Sequence, residues 1–339
     1  MNPLPSTMKA LQIDSYKDAL SFNYIDKTTP KPSKNQVLIR IRKAAVNPSD
    51  LAFVTGNYGF SKPLPVVPGM EGCGEVVATG DHSSAASLLG KRVACIAGDG
   101  DGTWAEYMLA ESHQCIPLED DVPDQYAAML MVNPMTALAL MDHAEQKGHK
   151  TLILNAASSA LSRMIRLLAQ ETGIRVINIV RQRRQAKDMS KSGIEFVLNS
   201  SSQDFTTLLS EMCQQLNASL LLDAVAGEST GQILSCMPEA SEAVIYGGLS
   251  GKGPSLNIGH LIFQDHIIRG FWLAHYLKKT APEKLIKLSQ RAQWLMQQDL
   301  DIRIQSEPPL KYAAHRIASY AANMSKGKVL ITPAEHEAI

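Results

Sequence analysis

The distribution of apolar positions changes rhythm near residue 150. Before that point hydrophobic residues come in short runs broken by Gly, Pro and Asn, and residues 10–13, 36–46, 74–79, 92–96 and 103–109 read as strands. From Thr151-Leu-Ile-Leu onward, strand-sized apolar runs alternate with helix-sized amphipathic ones, the pattern of a parallel sheet covered on both faces. Strands are predicted at 152–154, 176–180, 196–198, 220–223, 243–246 and 267–273, with helices over 159–171, 185–192, 204–216 and 229–237. The connections are long enough for right-handed crossovers, and the strands are as many as the usual dinucleotide fold carries. A helix at 282–298, a strand at 302–304, a helix at 311–323 and a strand at 328–331 come next; the last strand has no place in that sheet and is assigned to the first domain. The expected class is therefore α/β. A mostly-β domain takes residues 1–122 and 275–339, and a doubly wound parallel-sheet domain takes residues 123–274. No internal repeat or low-complexity tract is visible.

Composition supports two buried cores: the 339 residues are 45% hydrophobic and 19% charged. Lys plus Arg number 33 and Asp plus Glu 33, so no basic excess points to nucleic acid or an anionic membrane, and a small-molecule substrate is the expectation. The start lacks a charged segment followed by an apolar one, which argues against a secretory signal. The most apolar stretch, 126–141, is broken by Asn133 and Pro134 and closed by Asp142, short of the roughly 20 apolar residues that span a bilayer. Five scattered cysteines without a Cys-x-x-Cys pair suit a reducing compartment, and a cytoplasmic location is expected. The nine histidines show no His-x-x-x-His spacing and no Cys/His cluster, so His143 and His266 read as surface or satisfied core residues and no metal is assigned. A serine elbow fails too, because Gly248-Leu-Ser250-Gly251 is followed by Lys252.

In a dinucleotide fold the turn after the first strand carries Gly-x-Gly-x-x-Gly, since the backbone must turn tightly, approach the pyrophosphate and pack the helix on the sheet. Here the stretch is Ala157-Ser-Ser-Ala-Leu-Ser162, with Ala157, Ser159 and Ser162 at the glycine positions. Small side chains permit a close approach but take positive φ less readily than glycine. The helix start would still offer free N–H groups to an anion, and the hydroxyls of Ser158 and Ser159 could either bond a phosphate or simply cap the helix. After the second strand stands Arg181-Gln-Arg183-Arg184, where NAD-binding folds place a carboxylate for the ribose 2′-hydroxyl. Guanidiniums there suit a 2′-phosphate, which favours NADPH over NADH.

Several further stretches carry a resemblance. Ala45-Val-Asn47-Pro48-Ser49-Asp50, Gly56-Asn57-Tyr58, Pro68-Gly69-Met70-Glu71-Gly72, Gly102-Thr-Trp-Ala-Glu-Tyr107, Val132-Asn133-Pro134, Thr136-Ala137, Tyr246-Gly247-Gly248 and Gly327-Lys328-Val329 resemble the signatures of the medium-chain dehydrogenase/reductase superfamily, in order, over nearly the full chain. The resemblance implies a GroES-like catalytic domain and a Rossmann cofactor domain. Zinc-dependent members use Cys and His where this chain has Asn47 and Met70, and a further thiolate or carboxylate near Val132. Amide and thioether do not replace those ligands, so a zinc-binding description of this chain would come from the superfamily and not from its own donors.

Within the zinc-free members the resemblance runs to mitochondrial-type NADPH-dependent 2-enoyl thioester reductases and to quinone oxidoreductases. It is carried by Asn47-Pro-Ser-Asp50, Gly56-Asn-Tyr58-Gly59, Ile179-Val-Arg181-Gln-Arg183 and Arg269-Gly-Phe271-Trp272-Leu273. It implies hydride transfer from NADPH to an activated C=C bond, with Tyr58 stabilising or protonating the carbonyl oxygen and Asn47 orienting the carbonyl or the cofactor amide. Implied cofactor contacts are Thr136 at the nicotinamide; Ser158, Ser159, Ala160 and Leu161 at the pyrophosphate; Arg181, Arg183 and Arg184 at the 2′-phosphate; and Tyr246, Gly247, Phe271 and Trp272. The substrate is expected in the cleft between the domains, and a homodimer is expected through the edge strand 267–273. Family members commonly read Ser-Gly-Val-Gly where this chain has Ser159-Ala-Leu-Ser162. That departure keeps two rivals open, a quinone oxidoreductase and a non-catalytic scaffold with a degenerate cofactor loop.

Overall fold

The computed structural model describes residues 3–17 and 20–333. By its internal contacts the chain divides into two compact units: Met1–Pro134 with Ser289–Ile339, and Met135–Leu288. The sequence reading sets these limits at 122/123 and 274/275. The observed division falls inside two helices that composition does not mark as boundaries.

The first unit opens with β1 (Thr7–Gln12) and β2 (Asn23–Thr28), an antiparallel pair. The eleven-residue β3 (Gln36–Val46) is the strand around which the larger sheet of this unit is built. After α1 (Pro48–Val54) come β4 (Glu71–Thr79), α2 (Ser83–Ala86), β5 (Arg92–Ile96), β6 (Tyr107–Glu111), β7 (Cys115–Pro117) and α3 (Asp124–Ala127). β4 runs antiparallel along one side of β3, while β6 takes the first half of its other side. Register shifts at Leu38/Ile39 and Ile41/Lys43 bend the β3/β4 pair. Alternation along these strands turns Val37, Ile39, Ile41, Val76 and Val93 into a core that includes the fully buried Trp104. Strand β6 begins four residues later than the predicted 103–109 run, because Thr103 and Trp104 lie in the loop that closes over this core.

The second unit takes most of α4 (Asn133–Gln146). Next in the chain are β8 (Thr151–Leu154), α5 (Ala160–Thr172), β9 (Arg175–Val180), α6 (Arg183–Lys191), β10 (Val197–Asn199), α7 (Phe205–Leu216), β11 (Leu220–Asp223), α8 (Glu228–Leu234), β12 (Glu242–Ile245), α9 (Ile258–Phe263), β13 (Ile267–Gly270) and α10 (Leu273–Lys279). The six strands are all parallel in the order β10-β9-β8-β11-β12-β13, with β13 at one edge. In sequence rank this is 3-2-1-4-5-6, the dinucleotide arrangement, and its switch point lies between β8 and β11. The predicted strand 267–273 is shorter in the structure. The chain leaves the sheet after Gly270, and Trp272 caps α10 instead.

Helix α11 (Pro282–Met296) leads back to the first unit, where β14 (Ile304–Ser306), α12 (Ala313–Ala322) and β15 (Lys328–Ile331) complete the mixed sheet. β15 pairs antiparallel with the last residues of β3, Val329 opposite Val46, which gives the final strand the place the parallel sheet lacks. No helix among the described residues is long and apolar enough to cross a membrane.

Candidate active site and cofactor edge

In the first unit four polar side chains are buried together where β3, β4 and β15 meet: Asn47 is 1% exposed, Asp50 0%, Glu71 0% and Lys328 8%. Asn47 follows β3 and caps α1, its N–H donating to Asp50 Oδ2 at 2.7 Å. Its side-chain Nδ2 donates to Glu71 Oε1 at 2.7 Å, and its Oδ1 accepts from the Lys328 ammonium. The other Glu71 oxygen accepts the backbone N–H groups of Met131 and Val132, each at 2.9 Å, while Met70 N–H donates to Asp50 Oδ1 at 2.8 Å. An ion taken out of water costs several kcal/mol unless it is paired and hydrogen-bonded. Here the ammonium offsets the carboxylate through Asn47, and each Glu71 oxygen has a donor.

At the positions that the resemblance assigns to zinc ligands, the Asn47 side chain and the Val132 N–H donate to Glu71, and the Met70 N–H donates to Asp50. An amide, a thioether and a valine are not a zinc donor set. Burial pushes the Glu71 carboxyl up, against Lys328 and the Asn47 and backbone donors, and burial pushes the Lys328 ammonium down, against Glu71 and Asp50. Asp50 is pushed up to about 7, by burial first, against the N–H groups of Asn47 and Met70.

Tyr58 lies in the loop after α1, half-buried against the core and edge-on to Phe60 with ring centroids 5.1 Å apart. Its environment differs from that of Asn47, whose carboxamide is wholly engaged with Glu71 and Lys328.

In the second unit the expected cofactor residues share the carboxyl edge of the parallel sheet. Ser158 to Leu161 follow β8, Arg181 to Arg184 follow β9, Tyr246 and Gly247 follow β12, and Phe271 and Trp272 follow β13. Thr136, buried on α4, is the exception. At the phosphate turn the serine side chains face inward. Ser159 Oγ caps α5 by accepting Ser162 N–H at 3.2 Å, and Ser162 Oγ closes back on the Ala156 carbonyl at 3.2 Å. Ser158 Oγ accepts from Gln185 Nε2 at 3.1 Å. Ala156 takes the positive φ, 46°, that glycine usually supplies in such a turn. Among the described residues no acceptor meets the N–H groups of Ala160 and Leu161, as expected of a helix start open to an anion.

Arg181, Arg183 and Arg184 are exposed, and among the described residues their one ion pair is Arg184 Nε to Asp188 at 3.7 Å. Such an exposed contact is worth little. The Tyr246 hydroxyl is buried beside Ser162 without a hydrogen bond of good geometry, and burial and the Asp223 charge push it well up. A Cβ on Gly247 would stand 2.7 Å from the Ala224 carbonyl oxygen, so only glycine lets these two backbones approach.

Three residues at this edge are missed by sequence reasoning. Asn155 and Asp223 bridge the switch point: Asn155 Nδ2 donates to Asp223, Asn155 Oδ1 accepts Ala224 N–H at 2.7 Å, and Asp223 Oδ1 accepts the N–H groups of Val225 and Ala226 at 2.8 Å each. Arg166 on α5 donates to the Ala157 carbonyl at 2.6 Å and to Asn178 Oδ1 at 3.2 Å, bracing the phosphate turn from below. The available signal is polar residues at strand ends and one Arg inside an apolar helix face.

Comparison with known proteins agrees with this fold. An alcohol dehydrogenase GroES-like domain model matches residues 33–120, and a zinc-binding dehydrogenase model matches residues 160–291. The mitochondrial enoyl-[acyl-carrier-protein] reductase of Homo sapiens is 32% identical over 259 residues, 75% of this chain and 69% of that protein. A Mesorhizobium loti protein proposed to be an NADPH:quinone reductase is 36% identical with a TM-score of 0.88, covering 98% of this chain and 100% of that one. A complex of Etr1p with NADP and crotonyl-CoA is alike in fold, with a TM-score of 0.80 at 22% identity over 96% of this chain and 100% of that one.

The buried cluster is open to two tests. Lys328→Met leaves Glu71 as an uncompensated buried charge and should cost about 3–5 kcal/mol in denaturant unfolding. Adding Glu71→Gln should recover at least about 1 kcal/mol of that loss, and strict additivity would show that the two groups do not interact. The folded chain also holds the Asp50 proton more tightly than an ordinary carboxyl near 3.8 does. Asp50 therefore contributes stability that is greatest below that value, falls as pH rises towards about 7 and levels off above it. Unfolding midpoints measured across this range should decline in the wild type and flatten in Asp50→Asn; an equal slope in both would place the titration elsewhere.

Proposed function

The chain belongs to the medium-chain dehydrogenase/reductase superfamily, in the branch of mitochondrial-type enoyl reductases and NADPH:quinone reductases, and on that footing we propose that it is an NADPH-dependent, zinc-independent reductase of 2-enoyl thioesters or closely related activated alkenes. The observation that carries the reading is the set of exposed guanidiniums at the end of β9, beside a helix start with open N–H groups. An NAD-specific site needs a carboxylate at the end of β9, and a 2′-phosphate needs what this chain has.

Arg181, Arg183 and Arg184 bind the 2′-phosphate, and the N–H groups of Ala160 and Leu161 receive the pyrophosphate. The inward turn of Ser159 and Ser162 keeps their hydroxymethyl groups out of its way. Ser158 holds Gln185 and so ties the phosphate turn to the arginine segment. Tyr246, Gly247, Phe271, Trp272 and Thr136 line the remainder. When bound, NADPH supplies a hydride equivalent from C4 of its nicotinamide. Hydride addition at the β-carbon leaves negative charge on the substrate carbonyl oxygen; the Tyr58 phenol hydrogen-bonds to that oxygen, and its proton ends on the α-carbon of the saturated product. Asn47 acts as a positioning residue: held by Glu71 and Lys328, it caps α1, the helix that runs into the loop carrying Tyr58. A quinone acceptor is the second reading, favoured by the likeness to the Mesorhizobium loti protein over nearly the whole chain.

Calorimetric titration tests the cofactor assignment. NADPH should bind more tightly than NADH, and Arg181→Ala or Arg183→Ala should weaken NADPH by about tenfold or more while leaving NADH unchanged. Equal loss for both cofactors would remove the 2′-phosphate from these side chains. In the same preparations Tyr58→Phe should lower enoyl thioester turnover by on the order of a hundredfold. Little change with a quinone would set the thioester role of the phenol apart, and small equal effects on both would remove it.

A further inference from the structure

The opposite edge of the parallel sheet carries a second polar cluster that the proposed reaction does not use. His143 lies on α4, His149 lies between α4 and β8, and Glu242 opens β12. His143 Nε2 is 2.9 Å from Glu242 Oε2, and His149 Nε2 is 3.6 Å from the same oxygen. All three potential ligand atoms lie within 4.8 Å of one another, and among the described residues no other three His, Cys, Asp or Glu side chains are gathered in this way. His149 Nδ1 is held by Ser219 Oγ at 2.8 Å, while its Nε2 is buried and makes no hydrogen bond. Glu242 is 4% exposed, and its other oxygen is paired with the Arg269 guanidinium on the neighbouring strand β13.

We infer that His143, His149 and Glu242 form a binding site for a divalent cation of the zinc type, with His143 Nε2, His149 Nε2 and Glu242 Oε2 as ligands and water in the fourth position. Nitrogen and oxygen ligands stand about 2.0–2.2 Å from tetrahedral zinc, which places them about 3.4 Å from one another. The two distances to Glu242 Oε2 straddle that value, so side-chain adjustments of less than about 1 Å close these two pairs around an ion. Two imidazoles and one carboxylate form a familiar zinc donor set, and three protein ligands leave one position open. The partners behind the ligands are also in place. Ser219 holds the second nitrogen of His149, and the Arg269 guanidinium forms an ion pair with the second oxygen of Glu242.

This site has nothing in common with the Asn47, Met70 and Val132 positions of the first unit. It joins the α4/β8 junction to the amino end of β12, whereas the cofactor edge lies at the carboxyl ends of the strands. An ion here therefore steadies the sheet and takes no part in hydride transfer. The sequence hides the site because His143 and His149 are six positions apart, off the spacing of a helical ligand pair, and Glu242 is remote from both.

The untagged chain, freed of metal with a chelator, should bind one equivalent of Zn2+ by calorimetry, and Co2+ should give the visible absorption of a four-coordinate ion. Zn2+ should also raise the thermal midpoint, since it binds the folded chain. His149→Ala and Glu242→Gln should each weaken Zn2+ by at least about tenfold and abolish the rise in midpoint. His82→Ala, at an exposed histidine outside the cluster, should leave both unchanged. Absence of stoichiometric Zn2+ binding by the wild-type chain would overturn the inference whether or not the variants fold. So would binding by Glu242→Gln as tight as that of the wild type, which would leave the cluster a hydrogen-bonded ion pair only.

Discussion

The β-rich unit is arranged around one constraint, that the carboxylate of Glu71 is wholly out of water. A charge in that position must collect donors and a counter-ion or it destabilises the fold by several kcal/mol. Its partners come from three separate parts of the chain: Asn47 after β3, the backbone at Met131 and Val132, and Lys328 by way of Asn47. Lys328 begins the last strand, so the return of the C-terminal segment to β3 completes the electrostatic balance of a residue fixed near the middle of the unit. At this point an amide, a carboxylate and an ammonium hold β3, β4 and β15 together.

The cofactor unit resolves a comparable conflict at its phosphate turn. Glycines are absent there, yet the turn closes. Ala156 accepts the left-handed backbone, Ser162 satisfies its hydroxyl against the Ala156 carbonyl, and Arg166 holds the neighbouring carbonyl from beneath. The hydroxyls that would otherwise crowd a pyrophosphate are turned into the protein. The open edge is left to the amino end of α5 and a row of exposed guanidiniums, so the turn closes without glycine and keeps its open N–H groups.

Much of this is legible in the sequence. The change from punctuated apolar runs to alternating strand and helix periods identifies both units, because a half-covered β structure and a doubly covered parallel sheet impose different patterns. The arginines after β9 are legible for the same reason, since the end of the second strand has a fixed place in the fold. Other parts are not. Strand β2, Asn-Tyr-Ile-Asp-Lys-Thr, is too polar to stand out, and α4 is buried on so much of its surface that its apolar residues show no helical period. Phe271, Trp272 and Leu273 extend the last predicted strand by their apolar character, although the backbone turns into α10 there. The pairings of Glu71 with Asn47 and of Asn47 with Lys328 span 24 and 281 positions, and Asn155 meets Asp223 across 68, so only the folded chain brings them together.

The proposed activity is the passage of a hydride from NADPH to an activated C=C bond, with no metal at the Asn47, Met70 and Val132 positions. The most direct measurement uses NADPH deuterated at C4, each face in turn, with a short 2-enoyl thioester, followed by mass analysis of the saturated product. One deuterium is expected at the β-carbon, from one of the two labelled faces only. A saturated product without label, or no product from any enoyl or quinone acceptor despite bound NADPH, would contradict the claim.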